Sequence, residues 1–266
     1  MKKVVSILLA VVMVFGLVAC GESTETTKAA GNAAAVQTVE EGKLIMVTHA
    51  TFPPYEYVEG DGNFAGIDIE IAKMIAEELG LELEIQDMEF ASLLTAVQSG
   101  KADMVLAGLT VTEERKQNVN FSTSYAKGVQ SVIVKEDSEI KSIDDILGHK
   151  VGVQSSTTGH IYAATTPEKG GFGEENVIDF PKGADAVQAL ISGKVDCVIT
   201  DDNPAKEYIK ANAGLKLLPT AYTEEDYAIA FSKDNEDLLA KVNDILAKKT
   251  ADGTIQGILD KYIPSK

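Results

Sequence analysis

Apolar residues recur along the chain at two spacings, which predict alternating strands and helices. Continuous or alternating apolar runs predict strands, and apolar positions three and four residues apart predict helices. The predicted strands are Lys43–Thr48, Leu81–Ile85, Met104–Leu106, Gln130–Val134, Val151–Val153, Val177–Phe180, Cys197–Thr200 and Tyr227–Phe231. The predicted helices are Ile67–Leu79, Ser92–Ser99, Ala184–Ser192, Leu238–Ala247 and Thr254–Tyr262. This alternation is typical of parallel sheets covered by helices, and it predicts an α/β fold.

A short motif occurs twice and divides the chain into two related units. The segments AVQSGKADMVL and ALISGKVDCVI share Ser-Gly-Lys-Xaa-Asp, at Ser99–Asp103 and Ser192–Asp196. The first strands of the two units also correspond, LIMVTHAT with KVGVQSST. The two copies of the motif are offset by 93 residues. This offset also pairs Ala107-Gly108 with Thr200-Asp201, at strand ends where α/β sheets hold ligands. The repeat therefore predicts two lobes whose equivalent strand ends face a ligand.

Elements beyond the two repeated units predict how the lobes are joined. The simplest path enters the second lobe near Tyr125–Gln130 and returns near Thr223–Tyr227, and the C-terminal helices then pack on the first lobe. Two crossing strands form a hinge, and the cleft between hinged lobes can close on a small ligand. The predicted first lobe is 41–127 with 226–266, and the second is 128–225.

The first 20 residues have the pattern of a secretory signal. Two lysines precede an uncharged apolar run from Val4 to Val18, and Cys20 follows a small residue. This end is similar to the lipobox of bacterial lipoproteins, which makes Cys20 the candidate lipidation site. Residues 21–40 predict a flexible tether that reaches about 25 Å. We therefore expect an extracytoplasmic protein anchored by lipid to the outer face of the cell membrane. The alternatives are an ordinary signal peptide and an anchor helix.

The composition excludes several kinds of partner. The formal net charge is −17, and such an acidic surface repels phosphate backbones, so we expect no nucleic-acid partner. With Cys20 lipidated, no internal disulfide can form, and the apolar run around Cys197 predicts a buried thiol. The three histidines lack partners at metal-ligand spacing, so we expect no metal and no cofactor.

One arginine is the candidate carboxylate-binding group. In LAGLTVTEERK, Thr112 can cap a helical turn that places Arg115 near its start. Arg115 is the only arginine beside 23 lysines, and its planar guanidinium suits bidentate binding of a carboxylate. The alternative is a surface arginine paired with Glu113 or Glu114.

Two aspartates at the end of the equivalent strand are the candidate cation-binding groups. Asp201 and Asp202 end a buried run, where a carboxylate is unfavourable unless it meets a cation or amide donors. The alternative is a pair of helix N-cap residues before Pro204. An arginine from one lobe and an aspartate from the other would match the two charged ends of an α-amino acid.

Five segments in chain order resemble the polar amino-acid-binding proteins of ABC importers, solute-binding family 3. They are VTHATFPPYEY, GIDIEIAKMIAEELG, SLLTAVQSGKADMVLAGLTVTEERKQNVNFSTSY, VGVQSSTTG and VDCVITDDNPA. The resemblance covers about residue 42 to the C-terminus. It implies a two-lobed, periplasmic-binding-protein-like fold of type II with two crossing hinge strands. It also implies closure around one amino acid and a membrane permease of an ABC transporter as partner.

The resemblance assigns roles to residues at matching positions. Arg115 would bind the ligand carboxylate, helped by Thr110 and by backbone amides near Thr157. The carbonyl oxygen of Gly108 and the carboxylate of Asp201 would take the ligand ammonium.

The side-chain pocket is where this chain departs from its glutamine-binding relatives. Phe52 and Phe90 would flank the ligand as aromatic walls. The remaining pocket candidates are His49, Glu89, Gln154 and Thr200. Since only Glu89 among them bears a formal charge, we expect a polar uncharged ligand such as glutamine, with a basic amino acid as the alternative. For His49, a structural imidazole at a strand end is the alternative.

These features predict a monomeric, lipid-anchored receptor that captures a polar amino acid by lobe closure and delivers it to an ABC importer. Two other classes remain as alternatives. An extracytoplasmic enzyme on the same fold, such as a dehydratase of cyclic acids, would use Glu89 or His49 as an acid or base. A sensory lipoprotein or adhesin would bind the ligand without an importer.

Overall fold

The computed structural model of the protein describes residues 36–219 and 221–263. The strands are β1 (Lys43–Thr48), β2 (Thr51–Phe52), β3 (Glu56–Val58), β4 (Phe64–Ala65), β5 (Glu82–Asp87), β6 (Met104–Val105), β7 (Asn120–Phe121), β8 (Ala126–Lys135), β9 (Val151–Gln154), β10 (Val177–Phe180), β11 (Cys197–Asp201), β12 (Leu215–Leu217), β13 (Thr223–Tyr227) and β14 (Ala230–Phe231). The helices are α1 (Ile67–Leu79), α2 (Leu93–Gln98), α3 (Glu113–Asn118), α4 (Thr158–Ala164), α5 (Gly183–Ser192), α6 (Asp202–Ala211), α7 (Glu236–Ala251) and α8 (Thr254–Tyr262).

The two larger sheets have the same strand arrangement, one in each lobe. The first sheet has the order β5-β1-β6-β14-β7, and the second has the order β10-β9-β11-β8-β12, with β13 also paired to β8. The first three strands of each order are parallel, and the fourth is antiparallel to the third. The predicted α/β fold with two related lobes is confirmed by this correspondence.

The repeated Ser-Gly-Lys-Xaa-Asp motif has the same structural role in both lobes. Its glycine ends a helix in the left-handed region, with φ of 67° in one copy and 78° in the other. Asp103 Oδ2 then accepts a hydrogen bond from the amide of Ile45 at 2.7 Å. In the second lobe, Asp196 Oδ2 accepts one from the amide of Lys150 at 2.8 Å. The motif thus ties a helix end to the start of the lobe's first strand.

Two segments cross between the lobes and complete both sheets. The chain passes from β7 in the first sheet to β8 in the second, and from β13 in the second sheet back to β14 in the first. β8 and β13 pair antiparallel, with Ala126 opposite Tyr227. The two predicted hinge strands are therefore confirmed. The prediction of a single strand over Tyr227–Phe231 is wrong, because the chain leaves the second sheet after Tyr227 and joins the first sheet at Ala230.

Helices pack on both faces of each sheet and bury an apolar core there. In the first lobe, α1, α7 and α8 contribute to one cluster with Tyr227 and Phe231, while α2 covers the other face. In the second lobe, Cys197 belongs to one of two such clusters. Burial raises the pKa of the Cys197 thiol to about 12, as expected for a packing residue.

Some short elements and the helices α4 and α6 were not predicted, although one alternative placed helix N-cap residues at Asp201 and Asp202. β2, β3 and β4 form a small sheet beside the first lobe, and α4 follows the hydroxyl-rich loop after β9. Strands of two or three residues are too short to show a period of two. The helix α4 begins with Thr-Gly-His, which includes weak helix formers.

The predicted signal, Cys20 and most of the predicted tether lie outside the described residues. The last part of the tether, residues 36–40, contacts the first lobe. There the amide of Val39 donates to Asp103 Oδ1 at 2.7 Å, and Asn235 Nδ2 donates to the carbonyl oxygen of Gln37 at 3.2 Å. Among the residues that the structure describes, no helix is long and apolar enough to cross a membrane.

Candidate functional site

A cavity lies between the lobes, at the carboxyl ends of β1, β6, β9 and β11. Its lining residues are His49, Phe52, Glu56, Phe90, Ala107, Gly108, Thr110, Arg115, Gln154, Thr157, Thr158 and Asp201. The further candidates Glu89, Thr200 and Asp202 are not in this set, whereas the other nine residues that the sequence predicted to contact the ligand are. Their strands are brought together because parallel strands end at the same edge of each sheet.

Arg115 is held in the cavity by backbone carbonyl groups of both lobes. Thr112 Oγ1 caps α3 by accepting from the amide of Arg115 at 3.1 Å, as predicted. The guanidinium donates from Nη1 to Thr110 O at 2.8 Å and from Nη2 to Ser156 O at 3.1 Å. It is 8 % exposed and makes no ion pair within the described residues. The surface-pair alternative is therefore wrong, because Glu113 pairs with Lys116 instead.

The guanidinium of Arg115 keeps donors for a ligand anion. Five N–H groups are available to an arginine, and two of them contact the carbonyl groups described above. Its carbon Cζ lies 5.7 Å from the centre of the Phe90 ring, which places an aromatic wall beside the charge. Burial lowers the pKa of Arg115, although an arginine stays cationic in proteins. The site therefore contains a buried positive charge without a bound carboxylate.

Asp201 supplies the opposite charge from the second lobe. It ends β11 and is 9 % exposed. Its Oδ2 accepts from Gln130 Nε2 at 2.9 Å, and its Oδ1 accepts from the hydroxyl of Tyr227. Burial, with a further contribution from Glu225, raises the pKa of Asp201 to about 7. Asp201 occupies the N-cap position of α6, as the alternative predicted, but its side chain makes no capping hydrogen bond there.

Gly108 lies where only a glycine fits. Its φ is +50°, and a Cβ would lie 2.8 Å from Cε1 of Phe52. The Gly108 amide donates to Asp68 Oδ2 at 2.8 Å, and Gly108 lines the cavity. The Tyr125 hydroxyl also donates to Asp68, at 2.9 Å and 3.0 Å. The buried carboxylate therefore fixes the backbone that carries the carbonyl group predicted to face the ligand ammonium.

Thr110 connects the cavity with the hinge. Its Oγ1 donates to Glu225 Oε2 at 2.9 Å, and its backbone pairs with Tyr227 in an isolated bridge. Gln130 Nε2 donates to the same Glu225 oxygen at 3.1 Å. The hydroxyl of Thr110 thus donates its proton to Glu225 in the crossing strand β13, and the hydroxyl oxygen can still accept a hydrogen bond from a ligand.

The second lobe contributes Gln154 and Thr157 at the end of β9. Thr157 Oγ1 donates to Gln154 O at 2.7 Å and accepts from the amide of His160 at 3.3 Å, which caps α4. Gln154 is 8 % exposed, and its side-chain amide has no hydrogen bond within the described residues. This amide can both donate to and accept from a ligand.

His49 follows β1 and is 3 % exposed. Its Nδ1 lies 2.9 Å from the carbonyl oxygen of Met88, and its Nε2 is buried without a partner in the described part of the chain. The imidazole is thus held by one backbone group at one nitrogen, and His49 is one of the residues that line the cavity.

Glu56 is a cavity residue that sequence reasoning missed. It is 1 % exposed, and burial together with neighbouring Asp68 raises its pKa well above the usual range. Its Oε2 has no hydrogen-bond partner within the described residues. Its strand, β3, has three residues, which is too short to show a periodic pattern. Glu89, the charged candidate from the sequence, is exposed and does not line the cavity, and neither does buried Thr200.

Carboxyl groups outnumber cations around the cavity. Glu56 and Asp201 line it, Asp68 lies behind Gly108, and Glu225 lies behind Thr110. Burial raises the pKa of Asp68 to about 6, as it raises those of Glu56 and Asp201. A positive charge placed among these groups would favour their ionised forms and lower their pKa values. Within the described residues, no group of side chains has an arrangement that could hold a metal ion.

The lobes also touch directly at the side of the cavity. Asn203 Nδ2 in α6 donates to the hydroxyl of Tyr55 at 3.2 Å. The Tyr208 hydroxyl donates to Thr51 O at 3.4 Å. Tyr55 is almost fully buried and packs edge-on against Tyr227 at 5.1 Å between ring centres. These contacts join the small β2–β4 sheet of the first lobe to α6 of the second.

Comparison with known proteins agrees with this architecture. The family model for bacterial extracellular solute-binding proteins, family 3, matches residues 44–265. The arginine-binding extracellular protein ArtP of Bacillus subtilis is 37% identical over 265 residues, which cover 98% of this chain and 98% of ArtP.

Solved structures give the same result for the fold. An ancestral arginine-binding protein bound to arginine is 40% identical, with a TM-score of 0.78, over 84% of this chain and 98% of that protein. An ancestral arginine-binding protein bound to glutamine is 39% identical, with a TM-score of 0.78, over 85% of this chain and all of that protein's chain (100%). The expected two-lobed fold of type II is confirmed by these neighbours.

Proposed function

The chain belongs to family 3 of the bacterial extracellular solute-binding proteins, and on that premise we propose that it captures arginine by lobe closure and delivers it to an ABC importer. An amino-acid ligand and an ABC transporter follow from the family and its members. Because this family consists of binding proteins, the chain is not an enzyme, and the dehydratase hypothesis is set aside.

The choice of arginine over the expected glutamine rests on the excess of buried carboxyl groups at the cavity. One guanidinium, Arg115, faces Glu56 and Asp201, with Asp68 and Glu225 behind the lining. The carboxylate and ammonium of an amino acid cancel each other in net charge, so they leave this excess unchanged. A cationic side chain reduces it. Glutamine is the second candidate, since an arginine-binding relative also has a glutamine-bound structure.

The roles of individual residues in this proposal follow their positions. Arg115 binds the ligand carboxylate, and Asp201 with the carbonyl oxygen of Gly108 binds the ammonium. Phe52 and Phe90 enclose the carbon chain. Because Arg115 and Asp201 come from different lobes, the ligand is bound fully only when the lobes are closed, and its binding favours that state.

Isothermal titration calorimetry against arginine, citrulline, glutamine and glutamate tests the proposal. Citrulline has nearly the shape of arginine without its charge. We expect arginine to bind about tenfold more tightly than citrulline or glutamine, and glutamate to bind most weakly. Tighter binding of glutamate than of glutamine would contradict the electrostatic argument.

The substitution Arg115→Ala tests the carboxylate assignment. We expect it to weaken arginine binding by about 100-fold or more, because the ligand carboxylate would lose its charge-assisted partner. Lys116→Ala is the matched control, since Lys116 is its exposed neighbour in α3. Binding that survives Arg115→Ala at the level of the control would remove Arg115 from the site.

We also propose that lipidation at Cys20 keeps this monomeric receptor at the outer face of the membrane. The proposal rests on the sequence around Cys20, since that residue lies outside the described ranges. Cys20→Ser should move the protein from the membrane fraction to the medium or periplasm. Retention of the variant in the membrane fraction would point to an anchor helix.

A further inference from the structure

We propose that His49 selects the ligand by accepting a hydrogen bond from an N–H group of the ligand's side chain. This inference rests on the proposed function, because it concerns the same cavity. The unpaired nitrogen is His49 Nε2, and the substrate class that it indicates is any amino acid whose side chain has an N–H group.

The protonation of the His49 ring is set by the backbone. Nδ1 lies 2.9 Å from the carbonyl oxygen of Met88, at the end of β5. A carbonyl oxygen only accepts hydrogen bonds, so Nδ1 carries the proton. In the neutral ring, Nε2 then has a free lone pair and is an acceptor.

This acceptor has no partner in the described part of the protein. Nε2 is buried, and His49 is 3 % exposed and lines the cavity. A buried acceptor without a hydrogen bond is unfavourable. A ligand that donates to Nε2 therefore gains more than one that only fills the space.

The other unpaired buried side-chain atoms of the described residues are all oxygens. They are Thr48 Oγ1, Thr51 Oγ1, Glu56 Oε2, Gln130 Oε1 and Glu225 Oε1. No nitrogen of an amide, ammonium or guanidinium is among them. Only His49 Nε2 and Glu56 Oε2 belong to residues that line the cavity. Within the described residues, His49 Nε2 is thus an unpaired acceptor of a lining residue, and the ligand side chains that can donate to it are guanidinium, ammonium and carboxamide groups.

An imidazole differs from a carboxylate in what it distinguishes. A neutral acceptor binds an N–H group of a cation or of an amide, whereas a carboxylate adds a preference for positive charge. His49 therefore selects for a donor, and the surrounding carboxyl groups supply the preference for a cation. On this basis citrulline and arginine both use His49, and norleucine, which has no side-chain N–H, does not.

Calorimetry on three variants of the mature protein tests this division. His49→Asn keeps an amide donor near Nδ1 and removes the acceptor at Nε2. We expect it to weaken arginine and citrulline alike by about 10- to 100-fold, while norleucine binding, measured by competition, stays unchanged. His49→Asp should instead increase the preference for arginine over citrulline. His149→Asn is the matched control, because His149 is half-exposed and remote from the cavity lining, and it should stay within about twofold of the wild type.

The outcomes separate this inference from the proposed function. A wild-type protein that binds no amino acid overturns both. If the wild-type protein binds arginine, and the His49→Asn variant binds both arginine and citrulline as tightly as the wild type does, only the role of His49 is overturned.

Nitrogen-15 NMR of the wild-type imidazoles provides a test that does not depend on a folded variant. We expect His49 in the ligand-free protein to show a protonated Nδ1 and an unprotonated Nε2, and the Nε2 resonance to shift when arginine binds. A protonated Nε2 in the ligand-free protein would overturn the inference.

Discussion

Asp201 connects ligand binding with pH at the scale of single residues. Its carboxyl group has a pKa of about 7 because it is buried and lies near Glu225. The hydroxyl of Tyr227 and the amide of Gln130 lower that pKa in part. Near neutral pH, the empty site therefore exists in both protonated and ionised forms. A ligand ammonium pairs only with the ionised form.

We therefore predict that binding of an amino acid releases protons near neutral pH. The affinity should be full above pH 7 and decline as the pH falls through 7, since a ligand must then remove a proton from Asp201. Calorimetry in two buffers of different ionisation enthalpy at pH 7 measures the release. In Asp201→Asn the proton release should be strongly reduced. Equal binding enthalpies in both buffers for the wild type would contradict the prediction.

The residue scale also shows why part of the site was predictable. Arg115 stood out as the only arginine, and Gly108 and Asp201 were found by aligning two strand ends. The resemblance then supplied Phe52, Phe90 and Thr157. Glu56 had no comparable signal, because its importance comes from burial beside Asp68, which lies on a helix twelve residues later. Proximity of that kind requires the fold.

At the scale of elements, the two aspartates of the repeated motif have the same partner type but different surroundings. Asp103 is 2 % exposed and accepts from two amides, of Val39 and Ile45. The side chain of Asp196 is 47% exposed and accepts from the amide of Lys150. The shared sequence thus marks a shared role, and burial decides how much each copy contributes to stability.

Substitution of each aspartate by alanine should give different losses. Asp103→Ala leaves two amides without their acceptor in a buried place and should lower the free energy of unfolding by about 2–4 kcal/mol. Asp196→Ala should lower it by about 1 kcal/mol or less, since water can replace the carboxylate. Urea denaturation of both variants measures the difference. Equal losses would mean that the exposure of Asp196 does not weaken its role.

Glycines with positive φ provide a second comparison between elements. Gly100 and Gly108 have φ of +67° and +50°, but a Cβ at Gly100 would meet nothing within 4 Å. At Gly108 it would lie 2.8 Å from the Phe52 ring. The two positions share the backbone requirement and differ in free space.

Gly100→Ala should therefore cost about 1 kcal/mol of stability, from the left-handed backbone alone. Gly108→Ala should cost more, about 2–4 kcal/mol, and should also weaken ligand binding, because the Phe52 wall or the Gly108 carbonyl must move. Thermal unfolding and calorimetry measure the two effects. Unchanged affinity in Gly108→Ala would show that this segment does not contact the ligand.

Element prediction succeeded where a period was long enough to be visible. The predicted helix Ile67–Leu79 and the predicted strand Lys43–Thr48 agree with the structure residue by residue. The failures are short or interrupted elements, such as the two-residue strands β2 and β4 and the change of sheet after Tyr227. Pairing with distant strands, which a local pattern does not contain, determines those elements.

At the scale of the whole molecule, contacts that need no ligand favour the closed arrangement of the lobes. Asn203 and Tyr208 of α6 bind the hydroxyl of Tyr55 and the carbonyl oxygen of Thr51. Arg115 reaches Ser156 O in the same way. The affinity of a hinged receptor depends on how much of its population is closed before the ligand arrives.

We predict that Asn203→Ala shifts the ligand-free protein towards an open form without changing a cavity residue. The loss of one partly buried interlobe hydrogen bond should reduce the arginine affinity by about two- to tenfold and increase the radius of gyration in X-ray scattering. Asn63→Ala is the control, since the hydrogen bonds of Asn63 within the described residues join it to Asp61 and Glu59 in its own turn. A radius of gyration equal to that of the control would show that this contact does not govern closure.

The two crossing segments also determine the order in which the protein can assemble during synthesis. The first lobe receives β14, α7 and α8 from beyond the second crossing, and these elements contribute Phe231, Leu238 and Val242 to its main core. The second lobe is contiguous between the crossings. As the chain is made from its N-terminus, the lobe that begins first is therefore completed last, and the binding cavity can form only after the second lobe is already present.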